Sequence, residues 1–334
     1  MEKPQAVRIG NRHVGPGHPV FVIAEVGINH NGNIGIAKEL IDAAVRAGCD
    51  AIKFQKRTVP VIYGEQELAA PREVHPQVLK EAIERGVLPA DAVERLTESN
   101  FENATNGDLK YALELTESEY REIDRYCRER GIMWFASPWD EASVDFLEKF
   151  NLPAYKIASP SLTDDALLRY IRSKRRPIIL STGMADLPMI RHAVEVLGTE
   201  DLVLLHCTSV YPTQKTEAGD HGLSLLNLRG IEALRQEFGI PVGFSSHDTG
   251  IQPSYASAVL GGAAIEKHLT LWRGMWGSDH AASVEPGDLE RLIKMVRSLT
   301  LVLGDGDIKF YPEEVPTAKK LRRKWGAWKP PTVA

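Results

Sequence analysis

The sequence predicts a (β/α)8 barrel, and three observations carry the prediction. Eight short apolar, β-branched runs recur along 334 residues, the stretches between them repeat apolar residues at helical spacing, and a chemically active side chain stands at or just past the end of each run. Those side chains are Glu25, Lys53 with Gln55, Ser137, Lys156 with Ser159, Ser181, Ser209, His247 and His268. Strand and helix alternate, which favours a parallel sheet over segregated α and β regions. In a closed barrel the C-terminal strand ends converge on one mouth. A mouth so rich in cations, hydroxyls and imidazoles suits an anionic, phosphorylated substrate and a metal ion.

The first element is a small hairpin in VRIGNRHVGPGHPVFV, where Gly-Asn and Gly-Pro-Gly supply the turns. It leads into the barrel and is placed to plug the bottom. Strands are expected at 20–25, 51–55, 132–136, 154–157, 177–180, 202–206, 242–245 and 264–267, where the near-continuous apolar character is that of strands covered on both faces. Helices are expected at 34–47, 117–130, 141–150 and 164–173. The division is then a hairpin cap over 1–19, a barrel over 20–304 and a tail over 305–334. The basic run Lys319–Lys324 in the tail reads as a solvated face.

One connection is out of scale. Residues 56–115 separate the second strand from its helix, where a few residues usually suffice. Two short helices are expected inside it, at 77–85 and 91–98, followed by a polar stretch over 105–110. Long βα connections on a barrel lie over the mouth, so this insertion is expected to act as a lid, with a solvated insertion or a dimer contact as the competing reading.

Composition sets bounds on function. At 43% hydrophobic the chain can bury a large core, and a net charge of −5 argues against nucleic acid or an anionic membrane as partner. Cys49, Cys127 and Cys207 have no paired spacing and fit buried thiols in a reducing compartment. No apolar run reaches the ~18 residues of a membrane span, and the N-terminus has no apolar signal core. The expectation is a soluble cytoplasmic protein.

The chemistry is read from the strand ends. Lys53 and Lys156 put two large charges at the barrel top, where either a bound phosphate or carboxylate, or a barrel acid such as Glu25 or Glu266, would compensate them. The hydroxyls of Ser137, Ser159, Ser181 and Ser245 can donate to the remaining oxygens of an anion. His206, His247 and His268 also stand at strand ends; the last two, on adjacent strands, make a pair suited to a divalent metal with open positions for water and substrate. Glu25 and Asp279 are acidic groups able to grip hydroxyls or handle a proton, and Gln55 and Tyr211 complete a polyol-binding set.

The segments FVIAEVGINHNG, AIKFQ, LPAYKIAS, IILSTGM, LLHCTSVYPT, GFSSHDTG and EKHLT resemble, in order and at every strand, the barrel domain of the N-acetylneuraminate (sialic acid) synthase family. The resemblance implies condensation of phosphoenolpyruvate with a sugar aldehyde, giving a 3-deoxy-2-keto sugar acid and phosphate. It implies that Lys53, Lys156, Ser159, Ser181 and Ser245 grip phosphoenolpyruvate, with Ser137 where the family commonly has threonine and Ser209 where it commonly has asparagine. It makes His247 and His268 ligands of manganese, with magnesium or cobalt as alternatives, and places Glu25, Gln55, Tyr211 and Asp279 around the sugar. It also implies a homodimer. Two departures stand out: no antifreeze-like domain is expected after the barrel, and the insertion is longer than that family leads one to expect. The insertion is therefore expected to clamp the sugar through Arg72, Asn106, Asp108 and Lys110. A non-acetylated or phosphorylated acceptor, and a non-catalytic barrel that merely binds phosphoenolpyruvate, are the rival readings. A metal-dependent hydrolase would need a fuller metal cluster, such as a His-x-His pair, and the sequence has none.

Overall fold

The computed structural model describes residues 5–210 and 222–323. Strands β1 (Val7–Ile9) and β2 (Arg12–Val14) form the antiparallel hairpin, with Val7 opposite Val14. Its tip and exit lie against Met133, Pro153 and Pro241, next to the N-terminal ends of three barrel strands, so the hairpin sits at the bottom of the barrel. Asp50 fastens that end: it accepts from the Val22 N–H at 2.8 Å and pairs with Arg12 at 3.2 Å and Arg297 at 2.5 Å.

Eight parallel strands follow: β3 (Phe21–Gly27), β4 (Ala51–Lys56), β5 (Met133–Pro138), β6 (Tyr155–Ile157), β7 (Ile178–Ser181), β8 (Leu202–Cys207), β9 (Val242–Ser246) and β10 (Ala264–His268). They pair in the order β5-β4-β3-β10-β9-β8-β7-β6, and β5 and β6 lie beside each other to bring the cylinder nearly to closure. This is the expected (β/α)8 barrel, each strand within one or two residues of its predicted bounds. Alternation does the sorting. Lys53 and Gln55 of β4 face inward, while Phe54 between them packs outward against Tyr120 and Trp134.

Helices cover the outside where apolar residues recur at three- and four-residue spacing. In Ile34–Ala47 the buried face is Ala37, Leu40, Ile41 and Ala44, and Asn33 caps the start by accepting from the N–H groups of Gly35 and Ile36. Glu117–Arg130 begins with a capping box between Thr116 and Glu119.

The insertion is a helical subdomain. Its polar stretch 105–110 starts a further helix, Asn106–Leu113, with Thr105 and Asp108 forming a second capping box. With Pro76–Glu84 and Ala90–Glu98 this helix closes a core of Val78, Leu79, Leu96, Leu109 and Leu113. Ile28, from the loop after β3, and Trp276, from the loop after β10, pack against that core. The insertion therefore lies over the C-terminal ends of the barrel strands.

The described chain divides into two compact units, one ending at Arg297 and the other beginning at Ser298. The second contains the turn Pro312–Glu314 and the helix Val315–Leu321, and exposes Leu301, Val302, Ile308 and Leu321.

Candidate active site

Register brings the predicted side chains together from separate strands. Glu25 stands opposite both Lys53 and His268, Gln55 opposite Ser137, and Ser245 opposite Glu266. A cavity of about 340 Å³ results. It is lined by Glu25, Lys53, Gln55, Lys156, Ser159, Ser181, Ser209, Ser245, His247, His268 and Asp279. Ser137 is buried just behind, where it accepts from Lys53 Nζ at 3.3 Å. Tyr211 lies outside the described residues.

Four buried charges form the floor. Lys53 Nζ is 2.7 Å from Glu25 Oε2 and 3.5 Å from Glu266 Oε2. Lys156 Nζ donates to Ser181 Oγ at 2.7 Å and to the Ile157 carbonyl at 3.0 Å, and stands 3.7 Å from Glu266 Oε1. Ser245 donates to Glu266 at 3.0 Å, and Gln55 donates to Glu25 at 2.9 Å. Both lysines thus have barrel carboxylates beside them, as compensation of their charge requires.

The two acids are not equivalent. Burial raises the Glu25 pKa above the ordinary carboxyl range; the Lys53 charge pulls it back down, and the nearby Glu266 charge pushes it up again. Burial also opposes ionisation of Glu266, but Lys156 and Lys53 together outweigh it and hold this carboxyl below its usual value. Burial brings Lys156 down to about 8, with Glu266 pulling the other way.

The rings of His247 and His268 lie 5.2 Å apart, centroid to centroid. Burial pushes the His247 pKa down to about 4 and moves His268 in the same direction, so both imidazoles are neutral at physiological pH. His268 Nδ1 is buried and has no hydrogen-bond partner. Two neutral rings side by side, one with an unpartnered ring nitrogen, fit two ligands of a divalent ion. Among the described residues no group of three or more His, Cys, Asp or Glu could hold one.

The third histidine goes elsewhere. His206 alternates outward, its Nε2 bonds the Leu226 carbonyl at 2.9 Å, and its ring packs against Phe244. The next residue, Cys207, is the one that faces the cavity. Glu266 does more than partner a lysine, the one role its sequence context suggests. Its place two residues before His268 on one strand puts it on the same inward face, a signal that period-2 alternation makes readable. Trp139 also lines the cavity, although its sequence context does not mark it; it follows the end of β5 and is held by Arg57, whose guanidinium lies 5.1 Å from the indole ring. In turn Arg57 donates to Gln55 at 2.9 Å.

Gly183 lets the loops after β6, β7 and β8 close on one point. Its N–H donates to Ser159 Oγ at 3.0 Å, and a Cβ there would fall 2.2 Å from Ser209 Oγ and 2.7 Å from Ser159 Oγ. Of the insertion residues expected to clamp a sugar, two are structural. Asp108 is buried, caps its own helix and pairs with Arg95 at 2.8 Å, while Asn106 is buried and accepts from Arg72 at 3.3 Å.

A nearly closed parallel barrel that gathers buried lysines, acids, hydroxyls and neutral imidazoles at the C-terminal ends of its strands has the layout of a TIM-barrel enzyme. The match of residues 40–308 to the model described as the NeuB family goes further, and the chain belongs to that family. It is 33% identical over 313 residues to the human N-acetylneuraminate-9-phosphate synthase, covering 93% of this chain and 78% of that protein. To the N,N'-diacetyllegionaminic acid synthase of Legionella pneumophila it is 33% identical over 310 residues, covering 91% and 78%. The crystal structure of the N-acetylneuraminic acid synthetase of Leptospira borgpetersenii superposes with a TM-score of 0.73 at 28% identity, covering 96% of this chain and 99% of that one.

Proposed function

We propose that this protein condenses phosphoenolpyruvate with a sugar aldehyde and releases phosphate, giving a sialic-acid-like 3-deoxy-2-keto sugar acid. The observation that carries the reading is the pair Lys53 and Lys156, both buried, facing the same cavity as two neutral imidazoles. Family membership supports it.

Lys53 and Lys156 hold the phosphate and carboxylate of phosphoenolpyruvate, and Ser137, Ser159, Ser181, Ser209 and Ser245 supply hydroxyl donors around them. Lys156 is the more available cation, because its nearest carboxylate oxygen is 3.7 Å away against 2.7 Å for Lys53. Glu25, Gln55, Asp279 and Tyr211 position the acceptor's hydroxyls. A divalent ion held by His247 and His268, proposed as manganese, supplies polarisation of the aldehyde oxygen when bound.

C3 of phosphoenolpyruvate attacks the aldehyde carbon, and C2 becomes cationic. Water adds at C2, and the C–O bond to phosphate then breaks. One proton of that water goes to the new hydroxyl on the acceptor carbon, and the other leaves the C2 hydroxyl for the departing phosphate as the ketone forms. The insertion over 56–115 limits water at the mouth, which keeps the cationic centre from being quenched early. The assembly is proposed as a homodimer in the cytoplasm; among the described residues no helix is long and apolar enough to cross a membrane.

Phosphate release from phosphoenolpyruvate with manganese, screened over N-acetylmannosamine, mannose and arabinose 5-phosphate, tests the reading. Release that depends on one sugar supports it and names the acceptor. Tight binding of phosphoenolpyruvate without release from any aldose would favour the non-catalytic barrel.

A further inference from the structure

The last three residues of β10 face in alternate directions. Glu266 and His268 line the cavity, and Lys267 between them points out of the barrel, where its side chain is completely buried. Lys156 and Lys267 are both among the largest fully buried side chains, and of the two only Lys156 lines the cavity. The Lys267 ammonium has three acceptors: Asp248 Oδ1 at 2.9 Å, the Asp248 carbonyl at 2.5 Å and Ser246 Oγ at 3.1 Å. Ser246 and Asp248 are the chain neighbours of His247, and Lys267 is the chain neighbour of His268. One cation thus ties the residues on both sides of one imidazole to the residue before the other.

The backbone alone does not fix the spacing of those two rings. The register between β9 and β10 ends with Ser246 opposite Lys267, so His247 and His268 both lie one residue beyond its last pair. His268 is still held on its other side, opposite Glu25 of β3, whereas His247 begins the loop after β9. That loop is fastened from outside the barrel. Asp248 Oδ2 accepts from the Gly250 N–H at 3.0 Å, and Arg273 donates to the Thr249 carbonyl at 3.0 Å while pairing with Asp288. A buried ion pair contributes little net stability over apolar side chains of the same volume. Three converging bonds contribute direction and spacing instead, and groups that orient metal ligands in this way govern how well the metal is held.

We infer that Lys267, acting through Ser246 and Asp248, is a positioning residue that holds the His247 and His268 rings at the separation a single divalent ion requires; this rests on the condensation reading, which places that ion at the two rings. Lys267 touches neither substrate nor ion. It sets the affinity and the ligand geometry of the metal and leaves the binding of phosphoenolpyruvate to the residues inside the barrel.

Manganese titration followed by electron paramagnetic resonance, with the visible absorption of bound cobalt as a report on ligand geometry, tests this in the wild type and in the double variant Lys267→Met, Asp248→Asn. That variant leaves neither charge unpaired, and the asparagine keeps an acceptor for Gly250. The expected result is a manganese Kd raised by about tenfold or more and a shifted cobalt spectrum, with near-ultraviolet circular dichroism and metal-free binding of phosphoenolpyruvate unchanged. Asp248→Asn alone serves if the double variant fails to fold; it retains Ser246 and the backbone carbonyl as acceptors for Lys267 and should raise the Kd by a smaller factor. A folded variant with wild-type Kd and spectrum, even at a lower Tm, would overturn the positioning role and leave the metal site and the synthase reading standing. Metal binding that the variant weakens, without turnover of any aldose by the wild type, would keep the positioning role and overturn the synthase reading. Wild-type protein that binds neither ion would overturn the metal assignment and the positioning role together.

Discussion

Glu25 Oε2 and Lys53 Nζ lie 2.7 Å apart in the centre of the barrel mouth, and both side chains are buried. Lys53 is shared with Glu266, which also has Lys156 beside it, so four charges compensate one another away from water. Burying such a set is costly, and its members depend on one another.

Removing the shared cation should therefore cost more than neutralising one acid. Lys53→Met leaves Glu25 and Glu266 facing each other with one lysine fewer and is expected to lower stability by about 3–5 kcal/mol in urea denaturation. Glu25→Gln keeps the shape and should cost less. Both should abolish phosphate release. Equal, small losses for the two variants would show that the pair is not a structural unit.

His268→Ala should reduce turnover more than about 100-fold, because a metal ligand outranks the surrounding groups that tune it. The fold should persist, read by near-ultraviolet circular dichroism, since the barrel strands keep their pairing through the backbone. Chelation of the wild-type protein should give the same loss, reversed by manganese. Substantial activity in the variant would remove His268 from the metal.

What the sequence reveals here depends on periodicity. Two-residue alternation makes inward positions countable, and so Lys53 with Gln55 and Ser245 with His247 are legible from spacing alone. The same count, carried to Glu266, predicts its place in the cavity from that of His268, and carried to His206 predicts that this ring leaves it. Trp139 and Asp108 are harder. Trp139 lies past its strand end, where alternation no longer fixes direction. Asp108 looks like a loop residue because Thr-Asn-Gly-Asp is turn-like in composition, while its role as a cap depends on the apolar Leu109 and Leu113 that follow and on a helix core whose members begin as far back as Val74. The pairing of Arg95 with Asp108 is a tertiary fact with no local signal.

Contact between the insertion and the barrel runs through Gly32. Its φ is +74°, and a Cβ would fall 2.1 Å from the Ala112 carbonyl and 2.7 Å from Arg85 Nη1. Gly32→Ala should thus cost more than about 1 kcal/mol and displace the helix Asn106–Leu113 from the loop after β3. If the insertion closes the mouth, the acceptor KM should rise severalfold while the KM for phosphoenolpyruvate changes little. An unchanged acceptor KM in the folded variant would sever the insertion from acceptor binding.

Acid should weaken the same loop through His30. The ring is buried, and its Nδ1 accepts from the Gly32 N–H at 3.0 Å. Burial, with a smaller contribution from the Arg85 charge, lowers its pKa from the ordinary 6.5 to about 3. In that window the unfolded chain binds a proton that the folded chain refuses, so the stabilisation is fully present above pH 6.5 and is lost as pH falls toward 3. The slope due to this residue is about 1.4 kcal/mol per pH unit. His247, His268 and His280, also lowered by burial, add slopes of the same sign, so the comparison must be with a variant at this one position. His30→Asn keeps a side-chain acceptor for Gly32 and removes the titration. Urea unfolding from pH 7 to pH 4 should show the variant losing stability less steeply than wild type, by about one proton's worth. Parallel curves would mean that His30 is protonated in the folded protein at those pH values, and that the loop accommodates the charge.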